Sequence, residues 1–202
     1  LPWVEYRSMI RRVEIGSGVT HIGAWAFEDT NITSLTIPGS VKTIGEGGVS
    51  GNRYLSALTL ESGLETIGAY AFADCRIASV VIPDGVTSIG ENDFASCVRA
   101  DYINGQWVDT GLTTVTIPGS VTSIGKNAFT DNQQLTTVNF DGTQEQWNAA
   151  GGKNAGVPSS ATFNCVKVAA SGTAGKLKWS LASNGVLTIT GKGTMPDYNP
   201  GK

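Results

Sequence analysis

Side chains able to support catalysis or metal binding are scarce in this sequence. His21 is the sole histidine among 202 residues, so a Ser-His-Asp or Cys-His site would have to use it. Three cysteines are present, but neither a C-x-x-C pair nor a histidine cluster accompanies them, as a zinc site would require. The acidic residues are scattered, and no Gly-rich segment has the spacing of a phosphate-binding loop. The sequence therefore predicts a non-enzymatic protein without a metal or cofactor.

The residues best suited to bind a ligand lie in one short segment. The string D-Y-I-N-G-Q-W-V-D at 101–109 places Asn-Gly between alternating residues, which is a strong signal for a two-residue hairpin turn. In that register Tyr102 faces Trp107, and Ile103 faces Gln106. The sequence therefore predicts an inserted hairpin over about residues 98–110.

Exposed aromatic side chains on this hairpin could stack on a sugar ring or anchor a protein partner. The candidate binding residues are Asp101, Tyr102, Asn104, Gln106, Trp107 and Asp109. The alternative is a structural role, in which the two aromatic side chains fold back and cover the adjacent core. The sequence leaves both interpretations open.

The elements that must position this hairpin follow from an internal repeat. Glycine contributes 26 residues, and charged residues make up only 15%, against about 25% in an average soluble domain. The pattern V-x-x-I-G recurs in steps of 22, 23, 22 and 35, at Gly23, Gly45, Gly68, Gly90 and Gly125. The last step exceeds 22 by 35 − 22 = 13 residues, which is the inserted hairpin. An alternating apolar pair and a column of Phe residues keep the same phase, so the chain is a tandem array.

Each column of the repeat has a physical interpretation. The T-V-T-I alternation is the period of a strand buried on one face, and the Pro at 38, 83 and 118 ends that strand because it lacks an N–H. The repeat glycine is expected to permit a positive φ, and the Phe to fill the coil. A unit of 22–23 residues cannot bury such a face alone, so units stack. The predicted fold is a β-rich solenoid of about six right-handed coils with short parallel strands, followed by a C-terminal β-hairpin module.

The repeat strings resemble a known family. S-L-T-I-P-G-S-V-K-T-I-G and V-T-I-P-G-S-V-T-S-I-G-K-N-A-F are similar to the BspA-like leucine-rich repeats of bacterial surface proteins, over about residues 10–140. The second unit departs from this pattern, because Gly47-Gly48-Val49 replaces the usual A-F, and a thinner core is expected there. The G-T-x-x-x-W element that follows such repeats resembles the segment before Trp147, which is expected to plug the open end of the core.

The resemblance also carries implications for the cysteines. Cys75 and Cys97 share a column with Thr30, Asn52 and Asn132, in which leucine-rich repeats place Asn or Cys to satisfy loop backbone groups. It implies that the two thiols are buried, stacked and reduced, although a disulfide between coils about 4.8 Å apart is sterically conceivable. Cys165 falls in a connecting stretch, and the odd count leaves at least one thiol free.

The two ends of the chain resemble parts of the family in permuted order. Residues 172–202 are similar to a hairpin that precedes the repeats, and the opening L-P-W-V-E-Y-R is similar to its continuation. The predicted domains are a solenoid over 1–150, a linker over 151–171 and a hairpin module over 172–202. The chain is then either a piece of a longer tandem protein or truly permuted. We expect the 172–202 tail to cap the 1–15 start of a following unit, in the same chain or head-to-tail in a neighbouring molecule.

Surface display and adhesion are the functions that the resemblance implies. The ligand would be a host or matrix protein or a glycan, met by the inserted hairpin and by a Thr/Ser ladder that includes Thr36, Thr59, Thr114 and Thr116. The alternative is a structural spacer that presents other domains of a larger secreted protein. A net charge of −3 argues against nucleic acid and anionic membrane surfaces as partners. No apolar stretch approaches the roughly 20 residues of a membrane span. The resemblance implies a bacterial cell-surface or extracellular location.

Overall fold

A computed structural model describes residues 2–165, 168–174, 176–182 and 187–192. For residues 99–100, 102–103, 107–109, 168–170, 174, 180 and 182 it describes the backbone alone. The coil strands are β1 (His21–Ile22), β2 (Ser34–Ile37), β3 (Thr43–Ile44), β4 (Ala57–Leu60), β5 (Thr66–Ile67), β6 (Ser79–Val81), β7 (Ser88–Ile89), β10 (Thr114–Ile117), β11 (Ser123–Ile124), β12 (Thr137–Phe140) and β13 (Thr162–Cys165). The remaining elements are β8 (Val98–Ile103), β9 (Gln106–Gly111), β14 (Val168–Ala174), β15 (Leu177–Ala182), β16 (Leu187–Gly191), helix α1 (Gln144–Ala149) and the 3₁₀ turns Val4–Met9 and Gly152–Asn154.

Successive coils stack their strands in parallel, which confirms the predicted solenoid of about six turns. The two-residue strands lie in the order β1-β3-β5-β7-β11, and the longer strands form β13-β12-β10-β6 and β2-β4. Val115 pairs with both Val80 and Val138, so residues of one sequence column lie above one another. Strands β2 and β10 end directly before a proline, as expected from the missing N–H.

The Phe column forms a stack of three aromatic rings in successive coils, in the middle of the solenoid. Phe72, Phe94 and Phe129 are fully buried, with ring centroids 5.3 Å and 5.8 Å apart and nearly parallel planes. Val49 takes this position in the second coil, so the stack of rings is interrupted there, as the departure from the A-F pattern predicts. Strand β4 of that coil has half-buried apolar residues where β2 has fully buried ones.

Four of the five repeat glycines, Gly45, Gly68, Gly90 and Gly125, are required by the close approach of neighbouring coils, and the prediction that the repeat glycines provide a positive φ is wrong. None of them adopts the left-handed backbone region; that conformation occurs two residues later in the coil, as at Gly47 with φ 58°. A Cβ on Gly90 would lie 2.3 Å from the carbonyl carbon of Gly68, and a Cβ on Gly125 would lie 2.3 Å from the backbone nitrogen of Glu91. The glycine therefore makes room for the backbone of the preceding coil.

Substitution of Gly90 by Ala is expected to lower the free energy of unfolding by about 1–3 kcal/mol, the usual cost of overpacking. Gly23→Ala is the matched control, because nothing lies within 4 Å of its Cβ position. This control should leave stability unchanged or slightly raised, since Ala restricts the unfolded chain. Urea unfolding of both variants measures the difference, and equal losses would contradict a role in coil packing.

A buried polar column satisfies the turns from inside the coils, as the resemblance implies. Asn52 donates through Nδ2 to three backbone carbonyl oxygens at 2.6–3.3 Å, and Asn132 does the same at 2.8–3.1 Å. The thiols of Cys75 and Cys97 each donate to one carbonyl oxygen, at 3.2 Å and 3.3 Å. Both cysteines are free and buried, as predicted. Burial raises the pKa of Cys75 to about 12 and that of Cys97 well above its ordinary value, so both thiols stay protonated and act as donors.

The solenoid continues past residue 150, into the segment predicted as a linker. Trp147 of helix α1 is 4% exposed and packs on Phe140, with ring centroids 5.5 Å apart. It does not end the core as expected, because Phe163 of β13 packs on it with a ring-centroid distance of 4.8 Å. Strand β13 pairs in parallel with β12 over Thr162–Cys165. Its T-F-N-C sequence follows the same alternation as the other strands, which explains why it joins the sheet.

The C-terminal module is antiparallel, as predicted, and has one strand more than a hairpin. Strand β15 pairs with β14 on one side and with β16 on the other. Apolar side chains of β16 remain exposed, with Leu187 at 56% and Ile189 at 41%. Residues 193–202 of the predicted tail lie outside the described part of the chain, and head-to-tail capping of residues 1–15 stays a prediction.

Candidate functional site

The inserted hairpin has the register that the sequence predicts. Strands β8 and β9 are antiparallel, with Tyr102 opposite Trp107 and Ile103 opposite Gln106. The turn residues Asn104 and Gly105 have φ values of 51° and 84°. Positive φ at both central positions defines the type I′ turn, whose twist matches that of the flanking strands and which Asn-Gly favours. Local sequence therefore accounts for the geometry of the hairpin.

An ion pair ties the middle of hairpin strand β8 to the third coil. The carboxylate of Asp101 accepts a hydrogen bond from Nη2 of Arg76 and another from the Thr110 hydroxyl, at 2.8 Å. The Asp101 side chain is only 14% exposed, so the pairing is better shielded than a typical surface ion pair. This geometry gives Asp101 a structural role in orienting the hairpin, and its predicted part in ligand binding stays a prediction.

The tip of the hairpin is open to solvent. Asn104 and Gln106 are exposed and lie on either side of Gly105. The side chains of Tyr102, Trp107 and Asp109 lie outside the described part of the structure. The pairing of strands β8 and β9 sets their backbone positions, and their part in binding stays a prediction.

A groove that the sequence analysis missed adjoins the hairpin. It measures about 460 Å³ and is lined by Arg53, Tyr54, Asp74, Ser96 and Val98. A signal for it exists in the coil lengths. The number of residues between the buried polar column and the next buried apolar column differs from coil to coil. It is 1, 2, 1, 14 and 2 for the pairs Thr30/Ile32, Asn52/Leu55, Cys75/Ile77, Cys97/Leu112 and Asn132/Leu135. All length variation therefore falls on one edge of the solenoid, where loops most often carry function.

The predicted Thr/Ser ladder lies on the outer face of the long strands. Thr36 and Thr59 are exposed and directly paired in register, whereas Thr114 and Thr116 are half-buried. At the far end Asn164 donates to the Oδ1 of Asn139 at 2.9 Å. Val81 interrupts the ladder with a side chain that is 65% exposed. The face thus offers hydroxyl and amide groups, and at its first strand Ser34 and Thr36 line an open groove of about 680 Å³ together with Arg12 and Glu14.

His21 lies on the outside of the first coil. It is exposed, as predicted, and its Nδ1 shares a hydrogen bond with the hydroxyl of Thr43 one coil along. Among the described residues there is no group of three or more His, Cys, Asp or Glu side chains placed to hold a metal ion. In that same part of the chain, no helix has the length and apolar character needed to cross a membrane.

Comparisons with known proteins agree with this architecture. The BspA type leucine rich repeat region matches residues 5–100 and 105–150 in six copies. A leucine-rich repeat protein of T. pallidum is 30% identical, with a TM-score of 0.51, over 59% of this chain and 51% of that chain. A leucine-rich repeat protein of Eubacterium ventriosum is 25% identical, with a TM-score of 0.59, over 69% of this chain and 34% of that chain. The chain thus spans about half or less of these two proteins. No curated protein matches it.

The gap in the family match is itself informative. The match is interrupted at residues 101–104, which lie in the inserted hairpin next to its turn. Proteins with these repeats are typically non-enzymatic. The chain belongs to the BspA-type leucine-rich repeat family of bacterial surface proteins, whose repeats typically bind proteins.

Proposed function

We propose that this chain is a non-enzymatic recognition module of the bacterial surface that binds a host or matrix protein or a glycan. The observation that carries the proposal is the β8–β9 hairpin, which interrupts an otherwise regular array and projects from its variable edge. A site on a rigid scaffold loses little conformational entropy on binding. The coil stack and the Arg76–Asp101 pair, which ties the middle of strand β8 to the third coil, supply that rigidity.

The composition of the hairpin and its groove suits contact with a polar surface. Asn104 and Gln106 offer amide donors and acceptors at the tip. Arg53 and Tyr54 line the adjoining groove, and both residue types are enriched where interfaces concentrate binding energy. Tyr102 and Trp107 lie opposite each other in the pairing of β8 with β9, and they are the candidate anchors for a ligand.

Replacement of Tyr102 and Trp107 by Ala is expected to weaken ligand binding at least tenfold, since loss of one anchor in an interface costs about 2 kcal/mol or more. The measurement is a screen of matrix proteins and glycans, followed by titration of each binder against wild type and variant. A Thr36→Ala/Thr59→Ala variant tests the Thr/Ser ladder, the second predicted contact surface, and should weaken binding less than the hairpin variant does.

A second variant guards against a purely structural effect of the aromatic substitutions. Residues 98–111 are replaced by a single Arg, as the third coil has at that point, which removes the hairpin and keeps the coil. Loss of binding in both hairpin variants supports the proposal. Binding that survives in both would move the site to the ladder. Absence of any binder would favour the alternative, a spacer that presents other domains, and would overturn the proposal.

A further inference from the structure

The return turns carry two aromatic residues in an unfavourable backbone conformation. The second residue after each repeat glycine has a φ between 52° and 58°, and this column comprises Trp25, Gly47, Tyr70, Asn92 and Asn127. Gly and Asn adopt the left-handed region readily, whereas aromatic residues do so at a steric cost. Trp25 is 37% exposed and Tyr70 40% exposed, so a substantial part of each side chain faces solvent. Strained residues of this kind occur preferentially at functional sites.

The two rings form an ordered surface feature. A Cβ on Gly47 would lie 2.0 Å from Cε3 of Trp25, so the indole rests on the backbone of the second coil and is supported from below. Tyr70 occupies the same column two coils from Trp25, about 9.6 Å away at the usual strand spacing of about 4.8 Å. The aromatic pair is therefore positioned by the coil stack, and not by flexible loops.

Carboxylates surround this pair. A second left-handed column, four residues further on, contains Asp29 and Asp74, and the Oδ1 of Asp29 lies 2.1 Å from where a Cβ on Gly51 would be. Glu46 and Glu91 are exposed, and their backbone carbonyls accept hydrogen bonds from the N–H groups of Trp25 and Tyr70, at 2.8 Å and 2.9 Å. We call this surface the acidic-aromatic face; its residues are Trp25, Asp29, Glu46, Tyr70, Asp74 and Glu91. None of its four carboxylates forms an ion pair with a residue whose side chain is described.

We propose that the acidic-aromatic face binds a basic, extended peptide segment with cations at every third residue. Lys and Arg side chains are attracted both to the face of Trp or Tyr and to carboxylates, whereas a neutral polymer gains nothing from four negative charges. In a polyproline II segment, residues three apart lie on one side at about 9.3 Å, which matches the spacing of the two rings. The site uses neither strand of the hairpin, although Asp74 also lines the groove beside it.

Replacement of Trp25 and Tyr70 by Asn tests the proposal. Asn already occupies this column at 92 and 127, so the left-handed turns are kept while both rings are removed. Binding of a labelled peptide of repeated Lys-Pro-Pro units, followed by fluorescence anisotropy, should weaken about tenfold or more. Trp25→Phe/Tyr70→Phe should retain most of the binding. A peptide of the same composition with its lysines in one block should bind more weakly to the wild type.

Charge controls separate this site from general attraction to an acidic protein. Asp29→Asn/Glu46→Gln should weaken binding severalfold, while Asp84→Asn/Asp141→Asn removes the same charge elsewhere and should change it less than twofold. The Tyr102→Ala/Trp107→Ala variant should bind the peptide as the wild type does, which keeps this result distinct from the proposed hairpin function. Unchanged binding by the Asn double variant would overturn the proposal. So would binding of neutral oligosaccharides, in place of the peptide, that is lost with the two rings.

Discussion

Substitution of Phe94 by Ala is expected to lower the free energy of unfolding by about 3–5 kcal/mol, the range for deleting a fully buried aromatic side chain. Phe94 is 0% exposed and stacks on both Phe72 and Phe129. Neither neighbour can move into the space, because each is held in register by its own coil. Urea unfolding followed by circular dichroism measures the loss.

The position of Phe94 within the stack adds a second expectation. Repeat proteins are stabilised by interfaces between neighbouring units, so a cavity in the fourth coil weakens the coupling of the coils on either side. The unfolding transition should broaden, with a lower m-value. Phe27→Ala is the control, because Phe27 is only partly buried and has Trp3 as its stacking partner at 6.1 Å. A loss under about 1 kcal/mol for Phe94→Ala would show that the core closes around the missing ring.

Replacement of Asp93 by Ala is expected to stabilise the chain at pH 7 by roughly 1–3 kcal/mol, the cost of leaving a buried polar group unsatisfied. Asp93 is 0% exposed, in a column where the flanking coils have Ala71 and Ala128. Neither carboxyl oxygen has a partner in hydrogen-bond geometry among the side chains and backbone groups described. The Phe72 N–H donates to the main-chain carbonyl of Asp93 at 2.9 Å. Burial raises the pKa of the Asp93 carboxyl well above its ordinary value, and the nearby N–H groups of Phe72 and Ala71 offset only part of this effect.

The raised pKa of Asp93 also predicts the pH dependence of stability. The unfolded chain releases this proton near pH 3.9, while the folded chain keeps it to a higher pH. The free energy of unfolding of the wild type should therefore fall as the pH rises from about 4 through the folded-state pKa. Asp93→Ala lacks this decline, so its advantage should be small near pH 4 and largest at neutral pH.

Unfolding by urea between pH 4 and pH 8 checks the dependence on Asp93. Asp84→Ala removes an exposed carboxylate and should follow the wild type at every pH. If Asp93→Ala were less stable than the wild type at pH 7, the carboxylate would have to be making a favourable interaction, and the assignment of Asp93 as a destabilising residue would be refuted.

Periodicity along the chain accounts for much of the fold. The apolar alternation and the Phe column predict which residues of each coil are buried, and Val115 and Phe129 lie where that phase puts them. The hairpin register is equally local, because Asn104-Gly105 selects the turn and the turn sets which residues face each other. The continuation into β13 could also have been read from T-F-N-C, but the absence of the I-P and I-G elements concealed it.

The features that the sequence could not supply depend on distances between coils. The sequence predicts that Gly90 is a turn glycine. In the structure a Cβ on Gly90 would lie 2.3 Å from the carbonyl carbon of Gly68, so close packing of the coils requires the glycine. The sequence predicts that Asp101 contacts a ligand, but it does not predict the ion pair with Arg76, which is 25 residues away in the chain. Burial of Asp93 follows from its column, although its lack of a partner does not.

The candidate binding surfaces also divide into those that the sequence indicates and those that only the stacked coils create. Residue types along the chain indicate a recognition scaffold of this family and single out the inserted hairpin. The groove beside that hairpin and the alignment of Trp25 with Tyr70 exist only once coils are stacked, because stacking brings residues 22 or more positions apart to within one strand spacing. Repeat spacing thus determines the scaffold, and the contacts between coils determine which surface residues stand together.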